Sequence, residues 1–236
     1  MDITINDLNN QGAAFLKAGD YRNAVKRFAA GLTICRRQLV QSPVGGRFLL
    51  VKENRGIDYM IKKPATVHAE IDWSTTEHYV YGHPICIPIL EDCDDGMQPV
   101  ALSRIVMVSS ILIWNCAITY HLFALKQRNN EALLQEAAQL YEHGLKLQKL
   151  GKGRWEYFAL VSLNNLGNVY RALGQKEKCA TCFYELLACL TSLSAASTTR
   201  TNTGLLIDEE SIYEIFFQSV RRGFLGNTPI SVAPAA

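Results

Sequence analysis

Four stretches carry residue types that could do chemistry. Cys179-Ala-Thr-Cys182 has the CxxC spacing used in dithiol exchange or as half of a zinc site. It stands alone, and Cys179 falls where a small apolar residue sits in a matching upstream stretch, so a small buried residue is expected there. His78, His83, Cys86 and Cys93, with His68 nearby, could supply four zinc ligands, although their spacing fits no common zinc signature. EDCDDG (91–96) has the look of a calcium loop. However, Cys93 occupies a ligand position and Leu102 stands where the closing Glu belongs, so an acidic surface turn is expected. Gly151-Lys152-Gly153 lacks the GxxxxGK[ST] frame and a preceding strand. With no GxSxG and no nucleophile–base set, the expectation is no catalytic residue, no cofactor, no resident metal and no enzyme.

What remains is a set of amides: Asn10, Asn115 and Asn165. Each lies two residues before a small residue, namely Gly12, Ala117 and Gly167. One amide carries a donor and an acceptor side by side, which matches the N–H and C=O of a peptide backbone. The equal placement has meaning only if the three stretches are copies of one element.

Two of them are. LNNQGAAFLKAGDYRNAVKRF (8–28) returns as LNNLGNVYRALGQKEKCATCF (163–183). Leu8, Gly12, Phe15, Gly19, Ala24 and Phe28 match Leu163, Gly167, Tyr170, Gly174, Cys179 and Phe183 without a gap. Leu8, Gly12, Phe15 and Leu16 form one apolar helical face, and Tyr21, Ala24, Val25, Phe28 and Leu32 form a second. Gly19 between them suits a left-handed residue that ends the first helix. The spacing therefore predicts an antiparallel helical pair, with small residues at the crossing and aromatics filling the remaining volume.

A third pair is expected between the copies. Ile113, Ala117, Tyr120 and Ala124 fit its first helix, and Ala137, Tyr141, Gly144 and Leu145 its second. Ala117 and Ala137 are 20 residues apart where the other copies have 12. That calls for about one extra turn on each helix, or for a loop longer by eight residues around KQRNNEAL. The pairs are predicted at about 5–38, 108–148 and 159–193.

The pattern resembles the tetratricopeptide repeat, with its large apolar residue, Gly, Tyr, Gly, Ala and aromatic at these spacings. HYVYGHPICIPI and the terminal APAA are similar to small tetratricopeptide-like proteins with a long insertion after the first repeat. The resemblance implies a mainly α fold, a three-hairpin α-α superhelix with a short β-containing insertion. It implies a protein–protein interaction module, an adaptor or scaffold, that binds an extended peptide in a concave groove. In that family the position of Asn10, Asn115 and Asn165 faces the groove, and Asn6, Ala13, Lys17, Ile118, Val161, Asn168 and Ala172 would flank the row. The alternative for the asparagines is pairing with neighbouring helix ends or loops. The alternative function is a structural or regulatory protein with a metal-stabilised His/Cys insertion and no peptide groove. Repeats that clamp a terminal carboxylate carry Lys and Asn, then Asn, then Lys and Arg. The corresponding residues here are Asn9 and Ala13, Asn115, then Val161 and Asn165, so the cationic fork for a chaperone tail is missing.

The remaining organisation follows from punctuation. Residues 39–103 hold the insertion, rich in Pro and Gly, with short strands expected at 48–52, 66–71, 78–81 and 85–90. Their apolar residues need a surface, so the insertion is expected to dock on the helical pairs. The two later pairs occupy 104–193. SAASTTRTNTG (194–204) reads as a linker, followed by a capping segment with Ile212, Phe216 and Val220 at i, i+4 and i+8. A helix is preferred there, with the alternation Tyr213, Ile215, Phe217 leaving a strand open, and the tail is expected to be extended.

The bulk numbers agree with this reading. A chain of 236 residues with 48% apolar and 19% charged residues can bury a sizeable core. A net charge of +2 gives no footprint for nucleic acid. Seven cysteines, with no basic and apolar leader in MDITINDLNN, predict an intracellular setting, cytoplasmic or nuclear. Between Arg104 and Lys126 lies an uncharged run long enough to cross a bilayer, but its Ser, Asn, Thr, Tyr and His residues favour a buried helix over a membrane span. The partner is expected to be an unidentified protein or peptide.

Overall fold

A computed structural model describes residues 3–41, 80–87, 102–150 and 156–197, together with Phe216 and Val220. Among the described residues the chain is mainly helical and has no strand. The helices are α1 (Ile5–Lys17), α2 (Tyr21–Gln41), α3 (Leu102–Lys126), α4 (Glu131–Leu150), α5 (Glu156–Ala172) and α6 (Lys176–Ser197). Each helix packs on the next in sequence, and α1 also touches α3. The expected pairs are present with longer outer ends.

The three turns share one capping pattern, and the middle one adds a second left-handed residue, Asn129 (φ 62°). Gly19 (φ +74°) and Gly174 (φ +70°) are left-handed, as is Arg128 (φ 55°) at the matching point after α3. In each turn two N–H groups return to the carbonyls that the helix end leaves open. Asp20 donates to Phe15 and Gly19 to Leu16, Asn129 to Ala124 and Arg128 to Leu125, and Gln175 to Tyr170 and Gly174 to Arg171. This is the Schellman cap. The middle connection, 127–130, is only one residue longer than 18–20 or 173–175. The extra residues therefore lengthen the helices. Nine residues of α3 follow Ala117 where five of α1 follow Gly12, and six of α4 precede Ala137 where three of α2 precede Ala24. Of the two alternatives open in the sequence, the extra turns are the ones adopted.

The crossings explain the small residues. A Cβ on Gly12 would lie 2.5 Å from the Phe28 ring, and one on Gly167 would lie 2.9 Å from Phe183. Any side chain at either glycine would push the helices of that pair apart. At the corresponding places of the middle pair, Ala117, Ala137 and Tyr141 are buried.

The apolar helix α3 sits at the centre, flanked by α2 and α4. Its stretch Ile105–Lys126 has the length and hydropathy of a membrane span, yet two thirds of its apolar window is buried within the protein. Ile111, Leu112, Trp114, Ala117 and Ile118 are at or below 1% exposure. Trp114 contacts Tyr141 and Phe158, with ring centroids 5.4 and 5.3 Å away. Phe216 and Val220, the described positions of the C-terminal segment, are helical and buried, in keeping with their i, i+4 spacing.

The insertion departs from expectation. Val80 and Tyr81, and Ile85 to Ile87, fall in the predicted strands 78–81 and 85–90, yet residues 80–87 pair with no strand. They lie as an extended segment whose backbone bonds go to side chains of the helices. The expected strands at 48–52 and 66–71 fall outside the described residues, as do the 194–204 linker beyond Ser197 and the tail.

Candidate functional site

Helical spacing places Asn10 on α1, Asn115 on α3 and Asn165 on α5, and all three meet residues 80–87. Asn165 accepts from Tyr81 N–H through Oδ1 (2.9 Å) and donates from Nδ2 to Tyr81 O (2.9 Å). Asn115 holds Ile85 in the same way, at 2.9 and 2.9 Å. Asn10 holds Ile87 at 2.9 and 2.8 Å. Each amide takes both backbone groups of a single residue, doing the work of a neighbouring strand. The segment runs from α5 across α3 to α1, opposite to the order of the helices in the sequence.

A second set of amides aligns the first. Asn9 donates from Nδ2 to Ile85 O (2.9 Å) and to Asn10 Oδ1 (3.3 Å), and its own Oδ1 accepts from Asn115 Nδ2 (2.8 Å). Asn164 donates to Asn165 Oδ1 (3.1 Å). Asn165 Nδ2 also donates to Tyr141 Oη (3.1 Å), which lies 3.5 Å from His121 Nδ1. Because Tyr141 Oη accepts from Asn165, its own proton is available to a neutral His121. Burial holds His121 far below its ordinary value, at about 3, so it stays neutral. The network fixes the amide orientations, since flipping Asn165 would set its Nδ2 against the Tyr81 N–H, donor to donor.

Sequence spacing singled out Asn10, Asn115 and Asn165 but not the supporting roles of Asn9, Asn164, Tyr141 and His121. The signal for the first two was the doubled asparagine in LNNQG and LNNLG. In the middle pair Trp114 takes that place, its ring 6.2 Å from Tyr81. No sequence pattern marks His121.

The flanking positions divide. Ala13, Ile118, Val161 and Asn168 are buried, Asn6 is half-buried, and Lys17 and Ala172 are exposed. Of these, Lys17 bears on the segment: desolvation, then the Lys17 charge, hold His83 below its ordinary value. Within the segment the side chains alternate, with Ile85 and Ile87 buried and Cys86 between them exposed. Tyr81 packs edge-on against His83, at 5.8 Å, and burial pushes its hydroxyl up to about 12. Gly82 passes close to Leu122, where a Cβ would sit 3.4 Å from the side chain.

The other candidates are placed as follows. Cys179 and Cys182 are buried, and desolvation pushes the Cys182 thiol up to about 12, so it is protonated and unreactive. No group of three or more His, Cys, Asp or Glu side chains converges among the described residues. His68, His78 and Cys93 lie outside them. A cavity of about 270 Å³ opens between α4, α5 and α6. There Tyr170 donates to Glu142, Lys146 lies 3.8 Å from Glu142, and Lys178 sits 5.0 Å over the Tyr170 ring. Glu142 is thus engaged by Tyr170 and Lys146, and Lys178 by the Tyr170 ring.

No family model, no curated protein and no solved structure matches the chain.

Proposed function

We propose that this protein is an interaction module, an adaptor or scaffold and not an enzyme, whose helical pairs form a tetratricopeptide-like stack that binds an extended peptide. The observation that carries this reading is the two-point hold on Tyr81, Ile85 and Ile87 by Asn165, Asn115 and Asn10. A grip on both backbone groups gives affinity to any extended chain, and the alternate side chains give selectivity. The repeat reading draws support from the capping bonds common to the three turns and from the Gly12–Phe28 and Gly167–Phe183 crossings. A protein or peptide partner suits neutral amides, and nucleic acid does not suit a net charge of +2. An intracellular setting accords with the six free thiols among the described residues.

A structural reading competes, in which residues 80–87 fill the groove permanently and brace the helices. The burial of Ile85 and Ile87 favours it. Selection from a displayed library of random peptides separates the two. The interaction reading requires binders that fail on the Asn10/Asn115/Asn165→Ala variant and that lose affinity when a central amide is N-methylated. A library that yields no asparagine-dependent binder leaves the structural reading in place.

A further inference from the structure

We infer that residues 80–87 are a tethered stand-in for the partner. The groove's external ligand is then an extended peptide with an aromatic residue, three further residues, Ile or Val, any residue, then Ile or Val, which binds by displacing the segment. The inference rests on the interaction reading and adds a ligand class and an intramolecular competitor to it.

Three features of the site lead there. First, the hydrogen bonds between the helices and the segment join residues far apart in the chain: 84 positions for Asn165, 30 for Asn115, 77 for Asn10 and 76 for Asn9. Nothing in the contact itself requires the segment to be covalently joined to the helices. Second, the groove reads side chains only at certain places. The Tyr81 ring meets Trp114, and Ile85 and Ile87 are 4% and 5% exposed, while Cys86 faces out. Those are the positions a competitor must match, and the gripped backbone accepts any non-proline residue there. Third, with the segment gone, Asn9 and Asn115 would lose their bonds to Ile85, and Ile85 and Ile87 would become exposed. A competitor that restored the amide bonds and filled the two aliphatic sites would replace the segment like for like.

The tether sets the size of the effect. A ligand joined to its site acts at an effective concentration of about a millimolar, so the intact segment should mask a micromolar competitor by at least about tenfold. The test uses the full chain and a fluorescein-labelled peptide of residues 80–87 carrying C86S, read by fluorescence polarisation. Three proteins are compared with wild type: I85D/I87D, the milder I87A, and I85D/I87D/N115A. We expect the peptide to bind I85D/I87D at least about tenfold more tightly than wild type. I87A should fall between them, and adding N115A should abolish the gain. If I85D/I87D loses its helical circular dichroism, the I87A-to-wild-type ratio decides the question. The proposal is overturned if the folded opened variants bind no better than wild type, if a scrambled peptide binds as well, or if N115A changes nothing. Wild type that is dimeric and becomes monomeric on adding the peptide would assign the groove to a second copy, which also overturns it. Asparagine-dependent library binders that coexist with failure of the 80–87 peptide would remove this inference alone. The absence of any such binder would remove the interaction reading with it.

Discussion

Replacing Asn115 by Ala deletes three hydrogen bonds at once: those with the Ile85 N–H, the Ile85 carbonyl and Asn9 Oδ1. The Ile85 carbonyl keeps its bond from Asn9 Nδ2. Two groups are left without that partner, the Ile85 N–H and Asn9 Oδ1, on residues that are 4% and 0% exposed. A buried polar group without a partner costs about 1–3 kcal/mol, so the direct loss is roughly 2–6 kcal/mol. A ceiling applies, because the segment can leave the groove and rehydrate both groups. The loss therefore cannot exceed the free energy that docks residues 80–87. We expect about 3 kcal/mol, which for a chain of this size is a fall of roughly 6–12 °C in melting temperature. Asn10→Ala should cost only about 1 kcal/mol, since Asn10 is half-buried and water can replace it. Urea and thermal unfolding followed by circular dichroism would measure both. In the I85D/I87D background, where the segment is already released, N115A should cost less than about 1 kcal/mol. An N115A protein that melts within about 2 °C of wild type, or one that loses as much in both backgrounds, would refute the reasoning.

Further outcomes follow from the turns, the crossings and the buried imidazole. Arg128→Gly relieves a left-handed non-glycine residue and should stabilise by about 0.5–1 kcal/mol in urea titration, after the added freedom of the unfolded chain is counted. Gly12→Ala drives a methyl into the Phe28 ring and should destabilise by about 1–2 kcal/mol, whereas Gly144→Ala meets only ordinary contacts at 3.9 Å and should stabilise by about 0.5 kcal/mol. Thermal melts of the two variants should move in opposite directions. His121 is held at about 3, below its unfolded value near 6.5, so in acid the unfolded chain binds the extra proton. Its contribution is complete above pH 6.5 and is lost as pH falls towards 3, with a slope approaching about 1.4 kcal/mol per pH unit. H121Q should flatten that part of the pH–stability curve. The half-buried His83 shifts in the same direction and would leave a residual slope, which H83Q should reduce.

The helical pairs were legible because their information is local. A glycine four residues after a leucine, an aromatic three further on and a second glycine four beyond that encode a face, a crossing and a stop. The row Asn10, Asn115, Asn165 was legible for the same reason, once the copies were aligned. What the row touches was not. Its bonds run from side chains to main chain across dozens of residues, so no pairing pattern enters the sequence. The segments 78–81 and 85–90 read as strands because they are short apolar runs between prolines and glycines. Such runs report an extended chain and are silent about who supplies its hydrogen bonds. At Tyr81, Ile85 and Ile87 amide side chains take the place of a neighbouring strand. The bland alternative for the asparagines, pairing with a loop, and the sharper one, holding an extended backbone, thus describe the same contact seen in cis.

The spacing of the gripped residues also limits how the segment can shift. The amides require an N–H at the residues facing Asn165, Asn115 and Asn10, which are Tyr81, Ile85 and Ile87. Sliding the chain by one residue in one direction would bring Val80, Pro84 and Cys86 to those places, and Pro84 has no N–H to give Asn115. Sliding it by one in the other direction would bring Gly82, Cys86 and Pro88, and Pro88 would fail at Asn10. A shift of two keeps Ile87 and Ile89 on the aliphatic places but sets His83, not Tyr81, beside Trp114. A shift of two the other way would set Tyr79 beside Trp114 but His83 on an aliphatic place. The two prolines thus act as detents, one for each direction of travel, and the aromatic and aliphatic places together select among the positions they leave open.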